Sequence, residues 1–412
     1  MKPAETIPVV SEGQTADMET KADAIVEGAR EEIKSQLSRL EFNLTSACNA
    51  KCPYCANDLR LMEDDKTLSL ETILGVVDEV KPEIVNFTGG EPTIKKKLAL
   101  DAIREVAARG IVTQLDTHGI FLKPEDIDAF VEAGLKRFHI SYNALNPEQF
   151  AVMRGLPAKF FPQLQANLRY IAAIPDVQLL LESVVYTENF RQMPDIYRQA
   201  CELGADEFQV QPLMLGGKAE VTMSLPPAIL AEVLKGLFAI EDPRTPIKIW
   251  CSYVTRCSPH ADGIYERPGD NWSQEFQAQR GVTGLETGCQ EGYTRLHIHN
   301  NGDVVICDLA DFGPIGNIYK EKIMDIYRDN VLLRHAKSTK PEACEGCGSW
   351  DNCHNVCPGS ALRINNDSPP RFTDWMEEHT RHILERIQSA STEQGLEANK
   401  SLVKLGTFGL KR

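Results

Sequence analysis

The stretch Cys48-Asn49-Ala50-Lys51-Cys52-Pro53-Tyr54-Cys55 decides how this chain is read, together with the run Arg39-Leu40-Glu41-Phe42-Asn43-Leu44 before it and Thr88-Gly89-Gly90-Glu91-Pro92 after it. Three thiolates on one short loop can hold three corners of a cubic iron–sulfur cluster and leave the fourth iron without a protein ligand. An open iron is a reactive position. Two blander readings compete with it. A structural zinc site wants four ligands, and no fourth Cys or His lies beside the loop. A disulfide framework needs an oxidising compartment, yet the N-terminal run MKPAETIPVVSEGQTADMETK has no apolar core of a secretion signal. No uncharged apolar run approaches the length of a membrane span either. The chain therefore reads as a reduced, cytoplasmic protein with thiolates free for metal.

Working outward, 412 residues with 42% hydrophobic content suffice for a large core and an appended module. The net charge of -15 argues against a nucleic-acid partner, whose phosphates call for clustered Lys and Arg. It favours a neutral or cationic substrate, although most of the surplus carboxylates are expected only to solvate the surface.

Strands and helices alternate from about Arg39 to Pro212. Strands are expected at 39–44, 83–87, 111–116, 137–141, 177–185 and 207–211, with a further one at 247–250. Helices are expected at 69–80 with Ser69 as N-cap, at 98–108 closed by Gly110, and from Pro124 to Gly134. Six such units with apolar rather than alternating strands predict a parallel sheet under helices, closed as a full or partial barrel. Reactive groups then gather at the C-terminal strand ends. The cysteine loop follows strand one and GGEP follows strand two, where paired glycines admit close approach of a ligand and Glu91 offers a carboxylate.

These residues resemble the radical S-adenosylmethionine (SAM) enzymes. CNAKCPYC is similar to that family's three-cysteine loop, with Cys48, Cys52 and Cys55 as cluster ligands and Tyr54 as the aromatic before the last of them. Gly89, Gly90, Glu91 and Pro92 resemble its SAM-binding GGEP motif. The resemblance covers roughly residues 39 to 215 and implies a partial (β/α)6 TIM-like barrel. It further implies a [4Fe-4S] cluster that binds S-adenosyl-L-methionine and yields a 5′-deoxyadenosyl radical. By the same resemblance Ser141 and Asn143 would contact the ribose and methionine carboxylate of SAM, and Arg154 would pair with that carboxylate. Thr117, His118 and Gln211 lie where other cofactor contacts are made. An ordinary polar role competes at each, and His139 reads as a barrel-wall residue.

The second half carries its own cysteines. TRLHIHNNGDVVIC, with Asn301-Gly302 as turn, reads as a hairpin that brings Cys289 and Cys307 together. Cys344, Cys347, Cys353 and Cys357 follow in C-x2-C-x5-C-x3-C, for which a zinc ribbon competes with cluster ligation. The spacings resemble the SPASM extension, which implies two auxiliary iron–sulfur clusters. Cys289, Cys307 and Cys357 would serve the nearer one and Cys344, Cys347 and Cys353 the outer one. The extension's usual last cysteine is missing, and Cys257 is expected to make up the number. Cys251 could be a ligand, a hydrogen-atom donor in catalysis, or a buried thiol; Cys201 reads as a core residue.

The expected domains are an N-terminal extension at 1–38, disordered and then helical, the barrel at 39–240, the SPASM domain at 241–365, and a C-terminal helix and tail at 366–412. The resemblance implies hydrogen abstraction from a substrate C–H with auxiliary-cluster electron transfer, and a flavodoxin- or ferredoxin-type reductant. About forty residues before the first strand are too few for a winged-helix leader-binding domain. With the acidic balance, that favours oxidation or epimerisation of a small polar substrate such as an aminocyclitol or amino sugar. A peptide or protein maturase is the alternative.

Overall fold

The computed structural model describes residues 37–56, 66–214, 217–225, 227–249, 291–292, 294–307 and 314–329. Its framework is one ten-stranded sheet. Strands β1 (Arg39–Asn43), β2 (Ile84–Thr88), β3 (Val112–Thr117), β4 (Arg137–Ser141), β5 (Gln178–Val185), β6 (Glu207–Pro212) and β7 (Ile247–Ile249) lie side by side in chain order, all parallel. Helices α1 (Leu70–Val80), α2 (Lys96–Ala107), α3 (Pro124–Glu132), α6 (Met193–Glu202) and α7 (Pro227–Phe238) fill the crossovers, and the β4–β5 crossover carries two, α4 (Pro147–Arg154) and α5 (Phe160–Ala172). β7 and the far strand β10 are not paired to each other, so the barrel is partial.

Local chemistry sets the helix ends. Ser69 caps α1 by accepting from Thr72 N at 3.0 Å, and its apolar spacing buries Ile73, Val76 and Val77 on the sheet. Asn146 caps α4 in the same way from Gln149 N, while Gly155 ends it at φ 59°. Each fully buried Leu or Ile on these faces contributes about 1.5–3 kcal/mol relative to exposure.

The strands depart from the expected continuous apolar runs. In β1, Leu40 and Phe42 are buried on the helix side, Phe42 stacking on Phe87 of β2 with ring centroids 6.3 Å apart. Arg39, Glu41 and Asn43 point the other way. Gln114 and Asp116, Arg137 and His139, Gln178 and Glu182, and Glu207 and Gln209 repeat that alternation around the sheet. The helix-facing side is greasy and the lumen side is polar, the pattern of a barrel that holds something hydrophilic.

The expected hairpin is present. β8 (Arg295–Ile298) and β9 (Asp303–Val305) are antiparallel, and Asn301-Gly302 makes the turn with Gly302 at φ 86°. β10 (Gly316–Asn317) extends it, followed by helix α8 (Ile323–Asp329). What the sequence did not disclose is that β8 pairs in parallel with β1, Leu40 opposite Leu296, so the hairpin continues the barrel sheet. Buried charges line this seam. His297 lies 2.5 Å from Glu291 and 3.4 Å from Glu41, and Arg295 3.2 Å from Glu291.

Candidate active site

The cysteine loop leaves the C-terminal end of β1 and is welded to its neighbours by backbone. Leu44 N donates to Thr88 O, Gly90 N to Thr45 O, and Glu91 N to Ala47 O, at 2.8–2.9 Å. The two glycines serve this contact. A Cβ on Gly90 would stand 2.3 Å from Ala47 O, and one on Gly89, at φ 148°, 2.5 Å from Thr45 O. Sequence reasoning reserved that closeness for a ligand; here the chain itself uses it. On the other flank Lys51 N donates to Arg154 O at 2.8 Å.

Cys48, Cys52 and Cys55 are all half-buried and unoxidised. Ala50 N donates to Cys48 Sγ at 3.4 Å and Arg154 Nη1 to Cys52 Sγ at 3.5 Å. Burial pushes the Cys48 thiol up, a cost that bound iron would offset. Among the described residues no three His, Cys, Asp or Glu groups converge as a single ion requires. A cluster asks for less, since each thiolate takes its own iron. The donor set and its neighbouring N–H groups therefore fit a cubane.

Glu91 is buried and caps the short 3-10 turn Pro92–Lys95. Its Oε1 accepts from Thr93 N (3.0 Å), Thr93 Oγ1 (2.5 Å) and Thr117 Oγ1 (2.6 Å), and Oε2 from His118 N (3.0 Å). Most of its acceptor capacity therefore goes to locking the β2 turn onto the end of β3. His118 Nδ1 accepts from Ile120 N, which leaves Nε2–H to donate to Asn49 Oδ1 of the cysteine loop at 2.6 Å. Burial lowers its pKa, so its 3.3 Å approach to Glu91 Oε2 is a neutral contact.

Asn143, buried just beyond β4, accepts from Val184 N at 2.6 Å and leaves its Nδ2 donor without a partner among the described residues. Asn43 Oδ1, at the end of β1, is likewise open. One free donor and one free acceptor on the rim suit a zwitterionic amino acid moiety such as the methionine end of SAM. Ser141 gives its backbone O to Arg154 Nη2 at 2.7 Å. Arg154 thus faces Cys52 and Ser141, where the sequence suggested a cofactor carboxylate. Tyr54 is buried against Tyr186, ring centroids 5.2 Å apart, and Gln211 is buried at the end of β6. Pro92 and Thr117 sit in the same collar.

Sequence reasoning missed the lumen below this rim. His139 Nδ1 lies 3.0 Å from Asp116 Oδ1, and Nε2 lies 3.2 Å from Glu182 Oε2 without the alignment of a hydrogen bond. Burial alone would lower its pKa, but the two carboxylates overturn that and raise it to about 10. Asp116 is also held by Gln114 at 2.7 Å and Asn86 at 3.3 Å. Arg39 spans Asn86 and Gln114, and Asn86 reaches Glu41. Polar residues at every second strand position were the available signal.

Cys307 is buried just after β9. Cys251, Cys257, Cys289, Cys344, Cys347, Cys353 and Cys357 lie outside the described residues, as do residues 1–36 of the expected N-terminal extension and the expected C-terminal helix and tail at 366–412.

Comparison with known proteins agrees with this geometry. The Radical SAM superfamily model matches residues 42–200, and the SPASM iron–sulfur cluster-binding domain matches residues 289–348. The PqqA peptide cyclase of Rhodopseudomonas palustris is 27% identical over 340 residues, 79% of this chain and 83% of the cyclase. An AdoMet-dependent heme synthase of Methanosarcina barkeri is 24% identical over 79% of this chain and 91% of the synthase. Among solved structures, Streptococcus suis SuiB bound to S-adenosylmethionine superposes with a TM-score of 0.64 at 16% identity, covering 88% of this chain and 82% of SuiB. Native anSMEcpe with bound AdoMet gives 0.58 at 19% identity, over 86% of this chain and 98% of that protein. These likenesses establish the fold, and the two domains imply 4Fe-4S clusters and S-adenosyl-L-methionine as cofactors. The chain thus carries a Radical SAM superfamily domain at residues 42–200 and a SPASM iron–sulfur cluster-binding domain at residues 289–348.

Proposed function

We propose that this radical SAM enzyme modifies a peptide or protein side chain. The observation that carries this reading is the similarity to the PqqA peptide cyclase across 79% of the chain, ahead of the small polar substrate that the short segment before the first strand and the acidic balance favoured. The polar lumen fits a hydrophilic side chain threaded from the rim. The heme synthase likeness keeps a small molecule as second reading. Among the described residues no helix is long and apolar enough to cross a membrane.

Bound here, a cluster and SAM would supply radical chemistry that removes hydrogen from a substrate carbon. Cys48, Cys52 and Cys55 would hold the cluster, and Arg154 and the Ala50 N–H would soften the charge on its sulfurs. Gly89, Gly90, Glu91 and Pro92 keep the β2 turn tight against the cysteine loop. Tyr54, Thr117, Ser141, Asn143 and Gln211 complete the collar, with Asn143 Nδ2 and Asn43 Oδ1 orienting the methionine end. Cys257, Cys289, Cys307, Cys344, Cys347, Cys353 and Cys357 are assigned to auxiliary clusters, Cys251 to a ligand or hydrogen-donor role, and a flavodoxin or ferredoxin to the reductant.

The test incubates reduced, reconstituted enzyme and SAM with peptides encoded near its gene and, separately, with an aminocyclitol panel. Peptide-dependent release of 5′-deoxyadenosine with a changed peptide mass is expected. Turnover confined to the aminocyclitols would overturn the reading.

A further inference from the structure

Among the described residues, the lumen wall between β5 and β6 holds a buried amide oxygen that no donor reaches. Glu182 is fifth of the eight residues of β5, level with Ser141 at the end of β4 and one pleat below Val184, the register partner of the rim residue Gln211. Gln209 is its register partner on β6, and register partners on parallel strands share a face. That face is the lumen, because Leu179, Leu181, Phe208 and Val210 occupy the opposite one and are fully buried.

Gln209 is only 3% exposed, yet its Oε1 has no hydrogen-bond partner among the described residues; its Nε2 is spent on Glu207 Oε1 at 2.6 Å. Lys248, in register with Gln209 on β7, is engaged with another partner. Among the described residues the Glu182 side chain meets His139 Nε2, 3.2 Å away and out of hydrogen-bond alignment. Asp116 and Glu182 flank the imidazolium of His139, and Arg39 adds positive charge on the Asp116 side. A buried amide oxygen without a donor has lost its water and gained nothing, a penalty that a ligand N–H removes.

We propose that Glu182 and Gln209 form the recognition site for a primary ammonium group of the substrate, which places the neighbouring carbons beneath the rim. The proposal rests on the assignment of the rim to SAM and, in its peptide form, makes the ammonium that of a lysine side chain. An ammonium has three donors: one meets Glu182, one meets Gln209 Oε1, and the third is free for water or the substrate itself.

The experiment measures anaerobic calorimetric binding to the reconstituted, SAM-loaded holoenzyme of three probes: Nα-acetyl-lysine methylamide, its norleucine analogue, which lacks the ammonium, and the aminocyclitol 2-deoxystreptamine. Lysine is expected to bind at least tenfold more tightly than norleucine. Glu182→Gln should erase most of that advantage, and Gln209→Leu should cut it severalfold. Iron content and melting temperature report whether the variants fold, and the wild-type lysine–norleucine pair decides alone if they do not. Equal binding of the lysine and norleucine probes, no binding of any probe, or an advantage untouched by Glu182→Gln overturns the site. Norleucine peptides turned over as readily as lysine peptides would sink the ammonium site and leave the peptide reading standing. Glu182-dependent binding of 2-deoxystreptamine, with no preference for the lysine probe, would support the site and remove the peptide.

Discussion

Arg154 Nη1 lies 3.5 Å from Cys52 Sγ while Nη2 of the same guanidinium donates to Ser141 O at 2.7 Å, so one fork ties a cluster-loop sulfur to the end of β4. Hydrogen bonds and positive charge at a thiolate favour the reduced, more negative cluster. Arg154→Met should therefore shift the midpoint potential to more negative values, on the order of tens of millivolts. Arg154→Lys, which keeps the charge and loses the fork, should fall between. Redox titration followed by electron paramagnetic resonance reads both, and an unchanged potential in Arg154→Met would contradict the coupling.

Glu91→Gln replaces a carboxylate that accepts four hydrogen bonds with an amide that must turn a donor toward a donor. Chemical denaturation should show a loss of about 1–3 kcal/mol. SAM affinity should fall with it, because the collar at Thr117 and His118 loses its tie.

Gly90→Ala puts a methyl 2.3 Å from Ala47 O, a backbone atom that cannot step aside without moving the cysteine loop. The variant should lose the SAM-responsive cluster signal and about four irons per chain. Iron retained at the wild-type level would show that the loop yields more easily than the geometry indicates.

Triple replacement of Cys48, Cys52 and Cys55 by Ala should lower the anaerobic iron content from about twelve to about eight per chain, taking three cubanes in all. SAM cleavage should vanish while the auxiliary signals persist. Loss of all iron would mean that the remaining cysteines hold none.

His139 has a defined pH signature. Its pKa rises from an ordinary 6.5 to about 10 in the fold, so its contribution is fully present below pH 6.5 and is lost as pH climbs toward 10. The slope approaches ~1.4 kcal/mol per pH unit within that window. Asp116 works oppositely: burial pushes its carboxyl up, the His139 charge and hydrogen bond more than reverse this, and its share is lost as pH falls below about 4. Urea unfolding of wild type and His139→Gln between pH 6.5 and 10 should differ in slope, the variant being flatter.

Much of the fold was legible from punctuation. Ser69, Pro124, Gly134 and the Asn301-Gly302 turn each announced an element that the structure contains. The cysteine loop and GGEP were legible as neighbours because both follow strands whose ends share a rim. The lumen was not. Asp116, His139 and Glu182 come from three strands and meet only when the sheet curls, so no local spacing reveals them. The β1–β8 pairing joins segments far apart in the chain through backbone groups, which carry no residue signature. For Arg154 the choice between a cofactor carboxylate and Cys52 depends on where Gly155 ends α4, and that is a matter of dihedral angles.

The pairing of β8 with β1 has a mechanical consequence. Cys48 leaves the top of β1, whereas β9 runs back down and delivers Cys307 near the level of Arg39, at the opposite end of the same strand. Were both cysteines cluster ligands, one redox centre would stand above the lumen and another below it. The gap between the two cysteines is set by a strand that rises about 3.3 Å per residue. A ruler of hydrogen-bonded backbone resists stretching, so the distance between the two thiols is inherited from the sheet.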